Sequence, residues 1–124
     1  MGTVTYDEGD TAAAATFGGV AGAIIGGAII GGLGFTPSAN IGDNLAMFEP
    51  VHGSAPKYAD KDVVNPTATL LAAKLMFDYL DRGDIANALI SSIENVLSAG
   101  KIRTYDIGGS SSTSDFASAV ADGL

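Results

Sequence analysis

Eighteen residues in the middle of the chain hold most of the side chains that could recognise a small ligand. The stretch EPVHGSAPKYADKDVVNP, residues 49–66, contains the only histidine, three of the four prolines and a Lys-Tyr pair. A neutral imidazole has a flat face for stacking, and its two nitrogens can donate and accept one hydrogen bond each. Gly53, beside His52, lets a ligand approach the backbone closely. These residue types suit recognition of a planar heterocycle such as adenine.

The same stretch is predicted to be an ordered loop. Each proline removes a backbone donor and biases the preceding residue away from helical geometry. Strand-like and helix-like segments lie directly on its two sides. A long polar loop between regular elements is more often a binding loop than a spacer. We therefore expect residues 49–66 to form a binding loop.

The segments on either side of this loop predict an α/β fold. LAMFEPV, residues 45–51, is short and apolar, as is typical of a buried strand. Asn65 and Pro66 are predicted to begin a helix, with Asn as the N-cap and Pro at the first helical position. The body of this helix, residues 67–80, is apolar on most sides, which predicts that it is largely buried.

Two further helices are predicted in the C-terminal part. Asp84 is a candidate N-cap for the first, and Gly100 is predicted to end it. Its apolar stripe consists of Ile85, Leu89, Ile93 and Val96. The segment TYDIGGSSSTSD is rich in turn residues and is predicted to be a loop. A last short helix is predicted over residues 116–122, after a Ser/Thr/Asp cap.

Composition narrows the possible functions. The 124 residues make one domain's worth of chain, and 14 acidic residues against 6 basic ones give a net charge of −8. No basic stripe is present to neutralise phosphates, which argues against nucleic acid as a partner. The chain has no cysteine, which excludes disulfides and thiolate metal sites. No basic segment precedes an apolar run at the start, so we expect a cytoplasmic location without a secretory signal.

Residues 1–34 differ in character from residues 35–124, and we predict a boundary between them. No charged residue occurs between Asp10 and Asp43, and Gly18, Gly22 and Gly26 are four apart. On a helix this spacing allows close packing, either in a membrane or in a homo-oligomer. The length suffices for a membrane span of about 20 residues. However, strongly apolar residues are few, and a basic flank and an aromatic belt are absent. The sequence therefore favours a buried or interface-packed helix that forms a homo-oligomer.

Four segments, in order, resemble the β-decarboxylating dehydrogenases, the family of isocitrate and 3-isopropylmalate dehydrogenases. They are GGLGFTPSANIGD (31–43), FEPVHGSAP (48–56), NPTATLLAAKLM (65–76) and YDIGGSSSTSDFASAV (105–120). The resemblance covers residues 31–124 and implies an α/β fold like the C-terminal portion of that family. It also implies that the quoted loop wraps the adenosine end of NAD or NADP. A Rossmann site is not expected, because Pro37 stands where the third glycine of its fingerprint would be.

The resemblance assigns roles to individual residues. His52 would contact adenine and ribose, Asn65 would bond the adenine edge, and Asp106 would support the same region. The expected cofactor-binding set is Glu49, His52, Gly53, Ser54, Ala55, Pro56, Lys57, Tyr58, Asn65 and Asp106. Three alternatives stay open. His52 could be purely structural, Asn65 could serve only as a helix cap, and Lys57 could be a solvated cation without a ligand.

The sequence leaves the choice between the two cofactors open. Lys57 and Tyr58 resemble NADP-linked isocitrate dehydrogenases, where a cation meets the 2′-phosphate. Gly108 and Gly109 are instead typical of the NAD-linked isopropylmalate branch. Adenine nucleotide is therefore the expected partner, without a preference between NAD and NADP.

The resemblance also indicates which parts of the family reaction are not found in this sequence. That reaction is a metal-dependent oxidative decarboxylation of a 2-hydroxy acid, with arginines on the substrate and a Tyr/Lys pair for proton transfer. In the family those arginines and that pair lie upstream of the matching segments. The two metal aspartates align, without gaps, on Val20 and Ile24, which cannot bind a cation.

We therefore expect no catalytic residues and no bound metal. We expect the chain to bind nucleotide but to have no independent turnover. The alternative is an oligomeric scaffold, either an evolutionary remnant or a designed assembly protein, whose nucleotide loop is idle.

Overall fold

A computed structural model of the protein describes residues 35–124, which form the predicted α/β fold. Residues 1–34, including the glycine-spaced segment, Val20 and Ile24, lie outside the described part. The regular elements, in chain order, are strands β1 (Pro37–Ile41) and β2 (Ala46–Pro50) and helices α1 (Thr67–Tyr79), α2 (Gly83–Ala99) and α3 (Thr113–Asp122). Short 3₁₀ turns at Pro56–Tyr58 and Tyr105–Ile107 interrupt the two long loops.

The two strands form an antiparallel hairpin in which Pro37 faces Pro50 and Ile41 faces Ala46. The predicted strand at residues 45–51 is confirmed in position, but its predicted burial is wrong. Burial alternates along β2, and Met47 is 50% exposed. The reason is that α1 packs on the two strands, so that alternate side chains point away from it.

Helix α1 begins one residue later than predicted, with Pro66 rather than Asn65 at the N-cap position, although the Asn65 side chain still satisfies the first helical N–H. The side-chain oxygen of Asn65 accepts hydrogen bonds from the Thr67 backbone N–H at 3.0 Å and from the Thr67 hydroxyl at 2.6 Å. The prediction that the helix is largely buried holds only for its first half. Leu71 is 1% exposed, whereas Leu75 is half-buried and Leu80, just after the helix, is 55% exposed. The C-terminal turn of α1 therefore lies at the protein surface.

Helix α2 ends as predicted and begins differently. Gly100 has a left-handed backbone (φ 65°) and follows the last helical residue. Asp84 was predicted to be the N-cap, which is wrong, because it lies inside the first turn and pairs with Arg82 at 2.9 Å. An acidic side chain in this turn still favours the helix, since it interacts with the positive end of the helix dipole.

Side chains from all three helices form the hydrophobic core. Its buried members are Leu71, Leu89, Ile93, Phe116 and Val120. Ile85 and Val96, the other two residues of the predicted α2 stripe, are only partly buried. The buried Ser92 hydroxyl donates to the Val120 carbonyl at 2.6 Å, which joins α2 to α3 through a satisfied polar contact.

The last helix begins at Thr113, earlier than the predicted residue 116, because a capping box extends it. Ser112 accepts from the Asp115 N–H, and the Asp115 carboxylate accepts from the Ser112 N–H. No helix within residues 35–124 is long and apolar enough to cross a membrane. The apolar N-terminal segment is not among the residues to which this finding applies.

Candidate functional site

The chain between β2 and α1 is an ordered loop with an exposed first half. Residues 51–57 are all exposed. The loop is fixed to the hairpin where the Val51 N–H donates to the Thr36 carbonyl at 2.8 Å. Ala55 has a left-handed backbone (φ 42°, ψ 56°) and directly precedes the 3₁₀ turn. Such a conformation is costly for alanine and persists only where the surroundings enforce it. The loop is thus ordered and accessible to a ligand.

His52 and its neighbours lie in this exposed half. The Nδ1 atom of His52 is 2.9 Å from the Gly53 carbonyl oxygen. A neutral ring that donates this bond has Nε2 as an acceptor for a ligand. A methyl group at Gly53 would meet nothing within 4 Å, so there is open space beside the backbone there. Ser54 is exposed with them, whereas Glu49 lies on β2 opposite Ser38, within the hairpin.

Asn65 connects the loop to the C-terminal segment. Its Nδ2 donates to Asp106 at 3.0 Å, and the Thr104 hydroxyl donates to the other carboxylate oxygen of Asp106. Asn65 is 8% exposed and Thr104 is fully buried. Because Asn65 also caps α1, both lone pairs of its side-chain oxygen and one of its two amide hydrogens are used. Two residues predicted to share a site, Asn65 and Asp106, are therefore in direct contact.

A second cluster joins Lys57 and Tyr58 to Tyr105, and sequence reasoning missed Tyr105. The two tyrosine rings have centroids 5.7 Å apart at 44°, and the Lys57 ammonium lies 4.7 Å from the Tyr58 ring centroid. A hydrogen bond with Tyr105, and then one with Lys57, lowers the pKa of Tyr58, while the bond to Tyr58 raises the pKa of Tyr105. The signal that could have found Tyr105 is its position next to Asp106.

The Gly108-Gly109 pair has a structural explanation. Gly108 has φ 81°, and a methyl group at Gly109 would lie 2.1 Å from the Arg103 carbonyl oxygen. Side chains are excluded at Gly109 by this close approach, and they are strained at Gly108. The backbone thus accounts for glycine at both positions, and the link of this pair to the NAD-linked branch stays a prediction.

Within residues 35–124, no group of three or more acidic or histidine side chains could hold a metal ion. The positions to which the resemblance assigns the metal aspartates, Val20 and Ile24, lie outside this part of the chain. The expectation that they replace the metal ligands therefore stays a prediction.

Comparisons with known proteins agree with the resemblance. The family model for isocitrate/isopropylmalate dehydrogenase matches residues 22–120. The isocitrate dehydrogenase (NADP) of Archaeoglobus fulgidus is 49% identical over 102 residues, which cover 78% of this chain and 24% of that protein. Catalytic subunit 5 of the mitochondrial isocitrate dehydrogenase (NAD) of Arabidopsis thaliana is 48% identical over 97 residues, covering 77% and 26%.

A solved structure extends the similarity to the fold. The crystal structure of isocitrate dehydrogenase from Methylococcus capsulatus aligns with a TM-score of 0.72 at 40% identity, covering 76% of this chain and 28% of that one. The chain thus spans about a quarter of the length of the relatives it matches. The family match begins at residue 22, earlier than the resemblance recognised from residue 31. The chain belongs to the isocitrate/isopropylmalate dehydrogenase family.

Proposed function

We propose that residues 52–58, Asn65 and Asp106 form the adenosine-binding part of an NAD or NADP site. The observation that carries this proposal is the 3.0 Å bond between Asn65 and Asp106. It joins the C-terminal end of the loop to the turn that holds Tyr105, and the contact between the Tyr58 and Tyr105 rings connects the same two segments a second time. Membership of a family whose relatives are named for NADP and for NAD supports the same conclusion.

The chemistry of these residues fits the adenosine end of such a cofactor. His52 is exposed and offers an aromatic face and an acceptor nitrogen. The second amide hydrogen of Asn65 is suited to donate to a ring nitrogen of adenine. Lys57 supplies a positive charge against the Tyr58 ring, which suits a phosphate. When bound, the cofactor would supply hydride acceptance, while these residues would bind and orient its adenosine end.

Nucleotide binding does not by itself provide turnover. The family reaction needs metal carboxylates, substrate arginines and a Tyr/Lys pair, and the residues proposed here serve nucleotide binding only. We propose that the chain binds nucleotide and does not oxidise isocitrate or isopropylmalate by itself. Steady reduction of NAD or NADP, in the presence of magnesium or manganese and in proportion to purified protein, would contradict this.

The test of nucleotide binding is a titration of the full chain with NAD, NADP and ADP, followed by NMR. We expect Kd on the order of millimolar, about −4 kcal/mol, because the site covers only the adenosine end. His52→Ala should raise the Kd for all three nucleotides several-fold. Ser91→Ala, on the exposed side of α2, is the matched control and should bind like the parent. Unsaturable shifts, or equal affinity after His52→Ala, would refute the proposed site.

A charge reversal tests the cofactor preference. Lys57→Asp replaces a phosphate-attracting cation with a group that repels phosphate, so the ratio of NADP to NAD affinity should fall by about tenfold or more. Lys61→Asp makes the same change in net charge four residues further along the loop and should leave the ratio nearly unchanged. Equal ratios in the two variants would mean that Lys57 does not contact the 2′-phosphate.

A further inference from the structure

The second half of the nucleotide loop is fixed to the first turn of α3. The first backbone N–H groups of any α-helix have no partner within the helix. In α3 the capping box satisfies only the N–H groups of Ser112 and Asp115. The N–H groups of Thr113 and Ser114 need partners from outside the helix.

Asp62, in the nucleotide loop, provides both partners. Its backbone carbonyl accepts from the Thr113 N–H at 3.0 Å. Its carboxylate accepts from the Ser114 N–H at 3.0 Å and from the Ser114 hydroxyl at 2.9 Å. The Thr113 hydroxyl in turn donates to the Val64 carbonyl at 2.5 Å. The loop therefore completes the cap of a helix that follows it by some fifty residues.

Asp62 is suited to this position in two further ways. Its backbone is left-handed (φ 53°), a conformation that aspartate tolerates better than most residues. Its negative charge lies at the N-terminal end of a helix, where the helix dipole stabilises an anion. A neutral or longer side chain would lose part of this fit.

We infer that Asp62 is a positioning residue for the nucleotide loop. By capping α3 it fixes the chain three residues before Asn65, and it thereby reduces the ordering that nucleotide binding must impose on residues 52–58. Pre-ordering of a loop raises affinity because less conformational freedom is lost on binding. The expected effect of Asp62 on nucleotide affinity rests on the proposed function. Its effect on the order of the loop rests on the structure alone.

The chain offers a closely matched control for a test. Asp60 is in the same loop, is exposed and also has a left-handed backbone (φ 60°). Replacement by alanine therefore strains the backbone similarly at both positions. The difference between Asp62→Ala and Asp60→Ala isolates the contact with α3. Asp62→Asn keeps a side-chain oxygen acceptor and tests whether that oxygen suffices.

The experiment uses the full ¹⁵N-labelled chain and two measurements, amide hydrogen exchange without nucleotide and Kd for NAD and NADP. In Asp62→Ala we expect exchange to accelerate about tenfold at Ser114 and at Tyr58, Ala59 and Lys61, whose amides are hydrogen-bonded within the loop. We expect Kd to rise by a similar factor. Asp60→Ala should change both by less than about twofold. Asp62→Asn should restore most of the protection. The amides of α2 report whether each variant is folded.

Each outcome decides the inference. Equal effects of the two alanine variants, or an Asp62→Ala effect limited to thermal stability with unchanged loop exchange, would overturn it. If Asp62→Ala does not fold, Ser114→Ala removes one of the three bonds and should accelerate loop exchange about threefold. If the parent chain binds no nucleotide, the proposed function fails, and the exchange comparison still decides whether Asp62 orders the loop.

Discussion

The three helices and the β-hairpin differ in how completely they bury their apolar side chains. The helices place Leu71, Ile93 and Phe116 against one another with almost no exposed surface. The hairpin leaves Met47 half exposed and Leu45, at its turn, 78% exposed. The nucleotide loop joins these two regions, and its anchors, Asn65 and Asp62, connect it to the helical region. The second half of the loop therefore depends on the helical core for its conformation, whereas its start is fixed to the hairpin by Val51.

The largest expected effect is a substitution in the helical core. Phe116→Ala removes a fully buried ring and should lower the free energy of unfolding by about 3–5 kcal/mol. Met47→Ala, in the hairpin, should change it by less than about 0.5 kcal/mol, because the side chain is already half in water. Urea denaturation followed by circular dichroism measures both.

If Phe116→Ala unfolds the protein entirely, the milder Ile93→Val can replace it. We expect Ile93→Val to lower the free energy of unfolding by about 0.5–1.5 kcal/mol. Similar losses for the hairpin and core substitutions would remove the distinction between the two regions. They would mean that Met47 is covered in solution, for example in the homo-oligomer that the sequence predicts.

A medium effect is expected at the loop anchor. Asn65→Ala removes the cap of α1 and leaves Asp106 without one of its donors, so the free energy of unfolding should fall by about 2 kcal/mol. Asp106→Ala should cost less, about 1 kcal/mol, because the cap remains. In the double variant the losses should be less than additive by about 0.5 kcal/mol or more. Strict additivity would show that the two side chains do not interact in solution.

The helical region was predictable from sequence because its signals are local. Gly100 ended α2 as expected, and Leu89 and Ile93 are buried as their spacing indicated. The burial of β2 was not predictable, because it depends on whether both sheet faces are covered, which no residue within the strand encodes. Asp84 illustrates another limit, since its side chain pairs with Arg82 and leaves the cap position.

The candidate site was predictable as far as a motif specifies it. The His52 loop and Asn65 were found because their residue types and spacing match a family pattern. Tyr105 and Asp62 were missed, because their roles come from contacts across more than forty residues of chain, which only the fold brings together. The Gly108-Gly109 pair was interpreted as a cofactor signal, and the close approach of Arg103 to Gly109 adds a backbone reason for glycine that the sequence did not reveal.

The smallest expected effect concerns the tyrosine pair beside Lys57. Tyr58 has a lowered pKa and Tyr105 a raised one, as follows when the Tyr105 hydroxyl donates to the Tyr58 oxygen and stabilises its phenolate. Tyr105→Phe removes this donor, so the pKa of Tyr58 should rise towards its ordinary value of about 10. A lowered tyrosine pKa stabilises the fold fully above the pKa of the unfolded residue, and this contribution is lost as pH falls through the folded pKa, so Tyr58 contributes none of it at neutral pH.

Titration of ¹³C-labelled tyrosine by NMR measures this shift. The control is Tyr79→Phe, which changes a tyrosine on the hairpin side, where Tyr79 contacts Phe48 with ring centroids 5.6 Å apart. That variant should leave the pKa of Tyr58 unchanged, because Tyr79, at the end of α1, is not among the groups that shift it. An unchanged Tyr58 titration in Tyr105→Phe would show that the pair is not hydrogen-bonded in solution. Lys57 would then be the main group that lowers the Tyr58 pKa, and the phosphate-facing part of the proposed site would depend on that lysine alone.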